Sequence, residues 1–393
     1  MNYIRTFFPL ATALSIALSA CSSEGNSHTA APTAPKEEKV VVTRTIVPVD
    51  YSLGRAMNKR LGKGINLGNS WESAGWDDSG WGNPIDDTDF SFIKSAGFNS
   101  VRIPVRWQSH SDYETHTVDP DRLAGVKEDI QLALNEGLAV IVNFHHYDAL
   151  NDAGNKYATD PASYEAEKAH FLTLWAQVAS ALNTPEFPDS MVVLEILNEP
   201  TIKDSTLVDQ LMNDAYQVIR ANAPGKTIMF ESYHAAKFAD LNILHLPADG
   251  NIIYSGHYYE PYSYTHQGHV NSCTGDAAYK NSATTDLVSY ARQAKTLYPD
   301  IDGVNSIPLN MGEFGVSGGT PYATRTTCKD KENDPLPSAE KKASWARQAI
   351  RAAESNDMSW HYWGYMNVGG FEAAYRSNGL VKWYDGFPDV FFY

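Results

Sequence analysis

Eight short apolar runs recur along the chain, at about 63–69, 99–105, 138–145, 191–198, 226–231, 252–257, 307–313 and 358–364. Each has the length and composition of a buried strand. Between them lie stretches with apolar residues at helical spacing, at 86–96, 121–136, 163–182, 207–222, 284–298 and 339–355. In the second of these, Leu123, Val126, Ile130 and Leu134 mark the buried stripe. Strand then helix, eight times over about 345 residues, is the count of a single (β/α)8 TIM barrel, an α/β fold. A doubly wound sheet is the competing architecture, yet no Gly-x-Gly-x-x-Gly loop follows any early strand. With no internal repeat and no second domain visible, 48–393 reads as one domain.

The first twenty residues follow another pattern: Arg5 supplies a positive end, Phe7 to Leu18 are mostly apolar, and Leu18-Ser19-Ala20-Cys21 follows. Residues 1–20 therefore read as an export signal, too short for a membrane span. The four-residue ending resembles a bacterial lipobox, which implies Cys21 as a lipidated first residue. Ser22 follows the cysteine, and resemblance to such lipoproteins favours the outer membrane or cell surface over inner-membrane retention. A plain signal peptide and a secreted product form the alternative. Residues 21–47 are small, polar and Pro-bearing, a flexible tether. Membrane contact is expected only through the anchor.

Composition narrows the partners. Hydrophobic residues make up 43% and charged ones 20%, enough for a real core, and the formal net charge of −16 disfavours nucleic acid. A neutral polymer would not be repelled. Aromatics reach 12%, with 9 Trp and 22 Tyr, suited to stacking on sugar faces as well as to core packing. Once Cys21 is assigned only Cys273 and Cys328 remain, and in an exported chain they read as one disulfide, two free thiols being the alternative. Neither Cys-x-x-Cys nor His-Glu-x-x-His spacing occurs, so no metal or other cofactor is expected. A monomer is the expected state.

Two glutamates stand near the ends of buried runs: Glu199 in Leu194-Glu195-Ile196-Leu197-Asn198-Glu199-Pro200, and Glu313 in Asn310-Met311-Gly312-Glu313-Phe314-Gly315. A carboxylate ending an apolar run is costly to desolvate unless it is paired or used. Two of them facing one pocket suit cleavage of a glycosidic bond. Other runs end on Arg102, on His145-His146-Tyr147, on His257-Tyr258-Tyr259 and on Trp363, so polar and aromatic ends converge on one rim, where a barrel keeps its site. Strict alternation would point Asn198 and Glu199 apart, so the strand must break its pleat before Pro200. Glu195 shares parity with Glu199 and is expected one layer below, either as a partner of Arg102 or in a purely structural role.

These segments resemble glycoside hydrolase family 5, and within it the endoglucanases. The resemblance rests on Gly64-Ile65-Asn66-Leu67-Gly68-Asn69, Val101-Arg102-Ile103-Pro104, Phe144-His145-His146-Tyr147, Asn198-Glu199-Pro200, His257-Tyr258-Tyr259-Glu260-Pro261, Thr265-His266-Gln267-Gly268 and Gly312-Glu313-Phe314-Gly315, across about 50–393. It implies a retaining, cofactor-free enzyme with Glu199 as acid/base and Glu313 as nucleophile. Arg102, His145, Asn198, His257, Tyr259 and Trp363 match the remaining active-site positions, and His146 is close enough to the strand edge to reach a substrate hydroxyl.

Specificity is less sharply marked. Asn69 and Glu72, with Trp71, Trp76 and Trp81, follow the first strand and are candidates to line the non-reducing side; Trp107 after the second is another platform candidate. Each tryptophan has core packing as its alternative. The long polar loops at about 258–282 and 314–338 suggest an open cleft that accepts internal bonds of a β-linked polysaccharide or oligosaccharide. The expected substrate is β-1,4-glucan, with β-mannan or xyloglucan as alternatives. A surface glycan-binding lipoprotein without turnover, or a transglycosylase, would use the same cleft.

Overall fold

The expected strands form at Lys63–Asn66 (β1), Ser100–Ile103 (β2), Ala139–Asn143 (β3), Val192–Glu195 (β4), Thr227–Phe230 (β5), Ile252–Tyr258 (β6), Leu309–Phe314 (β7) and Ser359–Tyr362 (β8). All pairs are parallel, and β8 returns to β1 to close the barrel. This computed structural model describes residues 45–392 except 74 and 76–78. The export signal, Cys21, nearly all of the tether and Trp76 lie outside the described residues. No helix among the described residues is long and apolar enough to cross a membrane.

Strand alternation sorts two cores. Along β3, Val140 and Val142 pack outward with the helices, while Ala139 and Ile141 face the barrel interior. There they meet Val193, Met229 and Ile253, and the helix Ser52–Leu61 closes the bottom with Met57 and Leu61. Full burial of such side chains stabilises the fold by about 1.5–3 kcal/mol each. Helices Asp87–Ser95, Pro120–Asn135, Pro161–Ala181, Ser205–Asn222, Ala283–Leu297 and Ala339–Glu354 occupy the six expected places. Side chains of Asp86, Asp119, Asp160, Asp204 and Ser338 cap five of them by accepting first-turn N–H groups.

Two units depart from the eightfold strand–helix expectation: β8 is followed by an antiparallel ribbon of Ala374–Ser377 with Leu380–Trp383 and only the four-residue helix Asp389–Phe392, and β5 by no full helix. After β5 the chain makes a turn at Tyr233–Ala236 and a short 3-10 segment at Phe238–Asn242, without a full helix. Left-handed backbone at His234, Ala235 and Ala236 stops a helix there, and buried Phe238, Leu241 and Leu244 cover the sheet instead.

At the opposite end from the helix plug, the loops after β6 and β7 are joined by a disulfide between Cys273 and Cys328, 55 residues apart, with Cα atoms 5.0 Å apart. Buried Gln267 also holds the first loop, accepting from the N–H groups of Thr274 and Gly275. Closing a loop of this length contributes about 4 kcal/mol by chain entropy, an upper figure where strain or residual structure intervenes. Cys273→Ser is therefore expected to lower the thermal midpoint and weaken substrate binding while far-UV circular dichroism stays that of a folded barrel. Unchanged melting of the oxidised protein would count against it.

Candidate active site

Arg102 organises the upper end of the barrel. Its fully buried guanidinium donates from Nε and Nη2 to Glu195 at 2.7 and 2.9 Å, from Nη1 to Asn66 and Glu313 at 2.8 Å each, and from Nη2 to Asn198 at 2.7 Å. All five N–H donors of the fork are thus engaged. Burial opposes this charge, but the Glu195, Glu313 and Glu231 carboxylates hold the Arg102 pKa well above its ordinary value. Of the two roles left open for Glu195, pairing with Arg102 is the observed one, and Arg102 holds it down to about 2 against burial.

The two glutamates meet across this centre. Glu199 follows β4 with φ +46°, the break of pleat needed to turn its side chain toward Glu313. One carboxylate oxygen from each, together with a His257 ring nitrogen, lie within 4.8 Å of one another. A register shift between Gly256 and His257 sets His257 directly opposite Glu313. Gly312 permits it, because a Cβ there would fall 2.4 Å from Ser255 Oγ and 3.4 Å from the His257 ring. His257 Nδ1 is 2.7 Å from Glu199 Oε1, and the Tyr259 hydroxyl donates to Glu313 Oε2 at 3.0 Å.

These contacts set the charges. Although burial opposes it, the surrounding Glu231, Glu313 and Glu199 favour the imidazolium of His257 and raise its pKa well above 6.5. The hydrogen bond and charge of His257 in turn outweigh burial at Glu199 and lower its pKa. At Glu313 burial dominates and the pKa is raised, despite the pull of His257 and Arg102. Burial keeps His145 neutral, well below 6.5, and brings His146 down to about 4.

The flanking aromatic residues fall into two groups. The rings of Trp363 and His145 are parallel, 5.6 Å apart, and Gly68 lets the indole lie close, since a Cβ there would come within 2.6 Å of it. Trp81, 45% exposed, stands 6.3 Å from the ring of His146, and exposed Tyr262 stacks on His266 at 3.9 Å. Trp107, by contrast, is not a platform: it is fully buried, with its indole N–H on the Asn143 carbonyl. Trp71 is likewise core, donating to Asp129 beneath the Arg122 guanidinium. Glu72 is buried as well, and its carboxylate accepts the N–H groups of Asn69 and Ser70, so it shapes the loop from below and does not line a subsite. Asn69 is half-buried, with φ +63°, and donates to the Asn367 carbonyl.

Two buried residues at the centre went unassigned from sequence. Asn66 donates to the carbonyls of Gly312 and His361 and accepts from Arg102, stitching β1 to β7 and β8. Glu231 ends the apolar run of β5, the signal that marked Glu199 and Glu313. A cavity of about 750 Å³ opens at the other end of the barrel, beside Arg55, Lys59, Pro308 and Met358, away from this cluster.

Comparison with known proteins gives a consistent picture. The family model described as cellulase (glycosyl hydrolase family 5) matches residues 61–369. Endoglucanase H of Acetivibrio thermocellus is 26% identical over 273 residues, 69% of this chain but 27% of its own length. Endoglucanase 1 of Ruminococcus albus is 24% identical over 400 residues, 93% of this chain and 88% of its own. The chain thus spans 27% of the first of these relatives and 52% of another, Endoglucanase A of Clostridium longisporum. Among solved structures, Thermotoga maritima Cel5A in complex with cellobiose superposes with a TM-score of 0.69 at 28% identity, covering 86% of this chain and 99% of that one. Its complex with mannotriose gives 0.68 at 28% identity with the same coverage.

Proposed function

This chain belongs to glycosyl hydrolase family 5, and on that premise we propose that it is a retaining endo-acting glycoside hydrolase that cleaves internal β-1,4 bonds of glucan. The observation that carries the reading is the approach of the Glu199 and Glu313 carboxylates, with oxygens within 4.8 Å. Retaining enzymes hold their carboxyl groups about 5–5.5 Å apart, whereas inverting ones leave about 6.5–9.5 Å for a water.

In the first step Glu313 attacks the anomeric carbon, the bond to the leaving oxygen breaks, and the proton of Glu199 passes to that oxygen. In the second, water gives a proton to Glu199 and displaces Glu313 from the sugar. Arg102 and Tyr259 each donate to one Glu313 oxygen, which supports the carboxylate form during attack. Arg102 holds the amide oxygen of Asn198, which leaves its NH2 for the sugar 2-hydroxyl, a contact that strengthens in the transition state. Trp363 beside His145 offers a surface for the sugar ring at the cleaved bond, and His146 with Trp81 extends it. The relative's complexes with cellobiose and mannotriose support glucan and mannan alike, and the endoglucanases among the relatives favour glucan. Reducing-sugar release from carboxymethylcellulose, lichenan, xyloglucan, glucomannan and galactomannan tests this. Release from galactomannan alone would make it a mannanase, and release from none would sink the reading.

The acid role requires Glu199 to carry a proton, while in the free protein His257 lowers its pKa. The side chain of Glu199 is 36% exposed, so water supports its charge until a sugar covers it. Covering removes that hydration and raises the pKa. The profile of kcat/KM reports the free enzyme and that of kcat the complex. A general acid fails as pH rises through its pKa, so the alkaline limb of kcat is expected at higher pH than that of kcat/KM. Coincident alkaline limbs, measured on a soluble oligosaccharide, would refute this effect of substrate.

A further inference from the structure

Like the runs that lead to the proposed catalytic glutamates, β5 leads from apolar residues to a carboxylate: Thr227, Ile228, Met229 and Phe230 are buried and the next residue is the fully buried Glu231. Nothing in the two-step mechanism uses it, yet a buried carboxylate requires partners. Its Oε2 accepts the backbone N–H of Glu199 at 2.7 Å. Its Oε1 lies 2.9 Å from His257 Nε2, at an angle too bent for a hydrogen bond, and 3.7 Å from Arg102 Nη2. The other nitrogen of the same imidazole, Nδ1, meets the Glu199 carboxylate at 2.7 Å. Glu231 therefore reaches Glu199 by two routes, through its backbone and through His257.

We propose that Glu231 is a positioning residue for the acid/base step, holding the backbone that aims Glu199 at the leaving oxygen and orienting His257 against its carboxylate. The proposal rests on the assignment of Glu199 as acid/base made above. Glutamate resists left-handed backbone, and Glu199 adopts it at φ +46°, so an anchor on its own N–H keeps the side chain over the cleft. The far nitrogen of His257 faces Glu231 Oε1 at 2.9 Å, an ion-pair contact that holds the ring with Nδ1 toward Glu199. Burial pushes Glu231 up to about 8, with the charge of Glu195 acting in the same sense and that of His257 opposing it. The Tyr254 hydroxyl lies within its field too. Neutral or charged, Glu231 keeps an oxygen to accept the Glu199 N–H, and glutamine keeps one also.

The test compares Glu231→Ala and Glu231→Gln with the wild type, each checked by melting and circular dichroism, on aryl β-cellobiosides of graded leaving-group ability. A residue that acts through the general acid matters only when the leaving oxygen needs a proton. For Glu231→Ala, kcat/KM is expected to fall about 30-fold with a poor leaving group and less than about threefold with 2,4-dinitrophenol, while Glu231→Gln recovers most of the loss. An equal loss across leaving groups in a folded variant, or an alanine variant as active as wild type, overturns the proposal. Nitrogen-15 NMR of labelled histidines reads the arrangement without turnover. His257 signals should shift in Glu231→Ala, where the ring loses the group that faces its far nitrogen, and stay close to those of the wild type in Glu231→Gln; unchanged His257 signals in Glu231→Ala overturn the inference on their own. A wild type inert on every cellobioside and glucan, with His257 responding as stated, refutes the functional reading alone.

Discussion

Glu313→Ala is expected to abolish turnover on every substrate, by roughly 10⁴-fold or more, whereas Glu199→Ala should retain activity on 2,4-dinitrophenyl β-cellobioside. In the proposed mechanism, removing Glu313 removes the atom that bonds to the sugar. The other carboxylates near it do not substitute, because Glu195 is tied to Arg102 and Glu231 lies behind His257. Removing Glu199 leaves the nucleophile intact, and a dinitrophenolate departs with little need of a proton. Azide separates the two by stereochemistry. In the space left by Glu199 it attacks the glycosyl-enzyme and gives a β-glycosyl azide, and in the space left by Glu313 it attacks the substrate directly and gives the α product. The opposite pattern of products would exchange the two roles.

The barrel was legible because each strand is a short apolar run and most crossovers carry a helical stripe closed by a side-chain cap. The fifth crossover was not, since nothing in 232–251 announces the left-handed backbone at His234 to Ala236 that replaces a helix. Glu199 and Glu313 stand out in the sequence as costly carboxylates near the ends of apolar runs, and the polar and aromatic ends of the other runs add to that signal. Glu231 carries the same signal, but its importance lies in contacts with the Glu199 backbone and with His257, which local sequence does not display. The tryptophans show the limit differently. Trp107 and Trp81 both follow strand ends, and only packing decides that one indole bonds to the Asn143 carbonyl while the other stands in solvent beside His146. Parity did foresee a broken pleat at Asn198 and Glu199, since two neighbouring side chains cannot otherwise face one cleft.

Arg102→Leu is expected to destabilise the protein by about 3–5 kcal/mol at neutral pH, and to do so less in acid. Leucine fills part of the volume but leaves Glu195 fully buried without its cation, and strips one donor from Glu313. In the wild type Glu195 is held down to about 2, below its unfolded value of about 4.3. That difference contributes stability that is complete above the unfolded pKa and lost as pH falls toward 2. In the variant burial is opposed only by Glu231 and His257, and with Arg102 gone the Glu195 pKa rises, so stability is lost as pH rises through the carboxylate range. The gap between the two proteins should therefore be widest near pH 7 and narrow below about pH 4, as read from urea midpoints at both values. A gap below about 1 kcal/mol at neutral pH, or one independent of pH, would mean that Arg102 does not hold the buried carboxylates in their charged form. Arg102→Lys sharpens the point, because it keeps the charge and loses the planar fork that serves Glu195, Asn66, Glu313 and Asn198 together. It should regain part of the stability while activity stays low, since a point charge does not orient Glu313 and Asn198 at once.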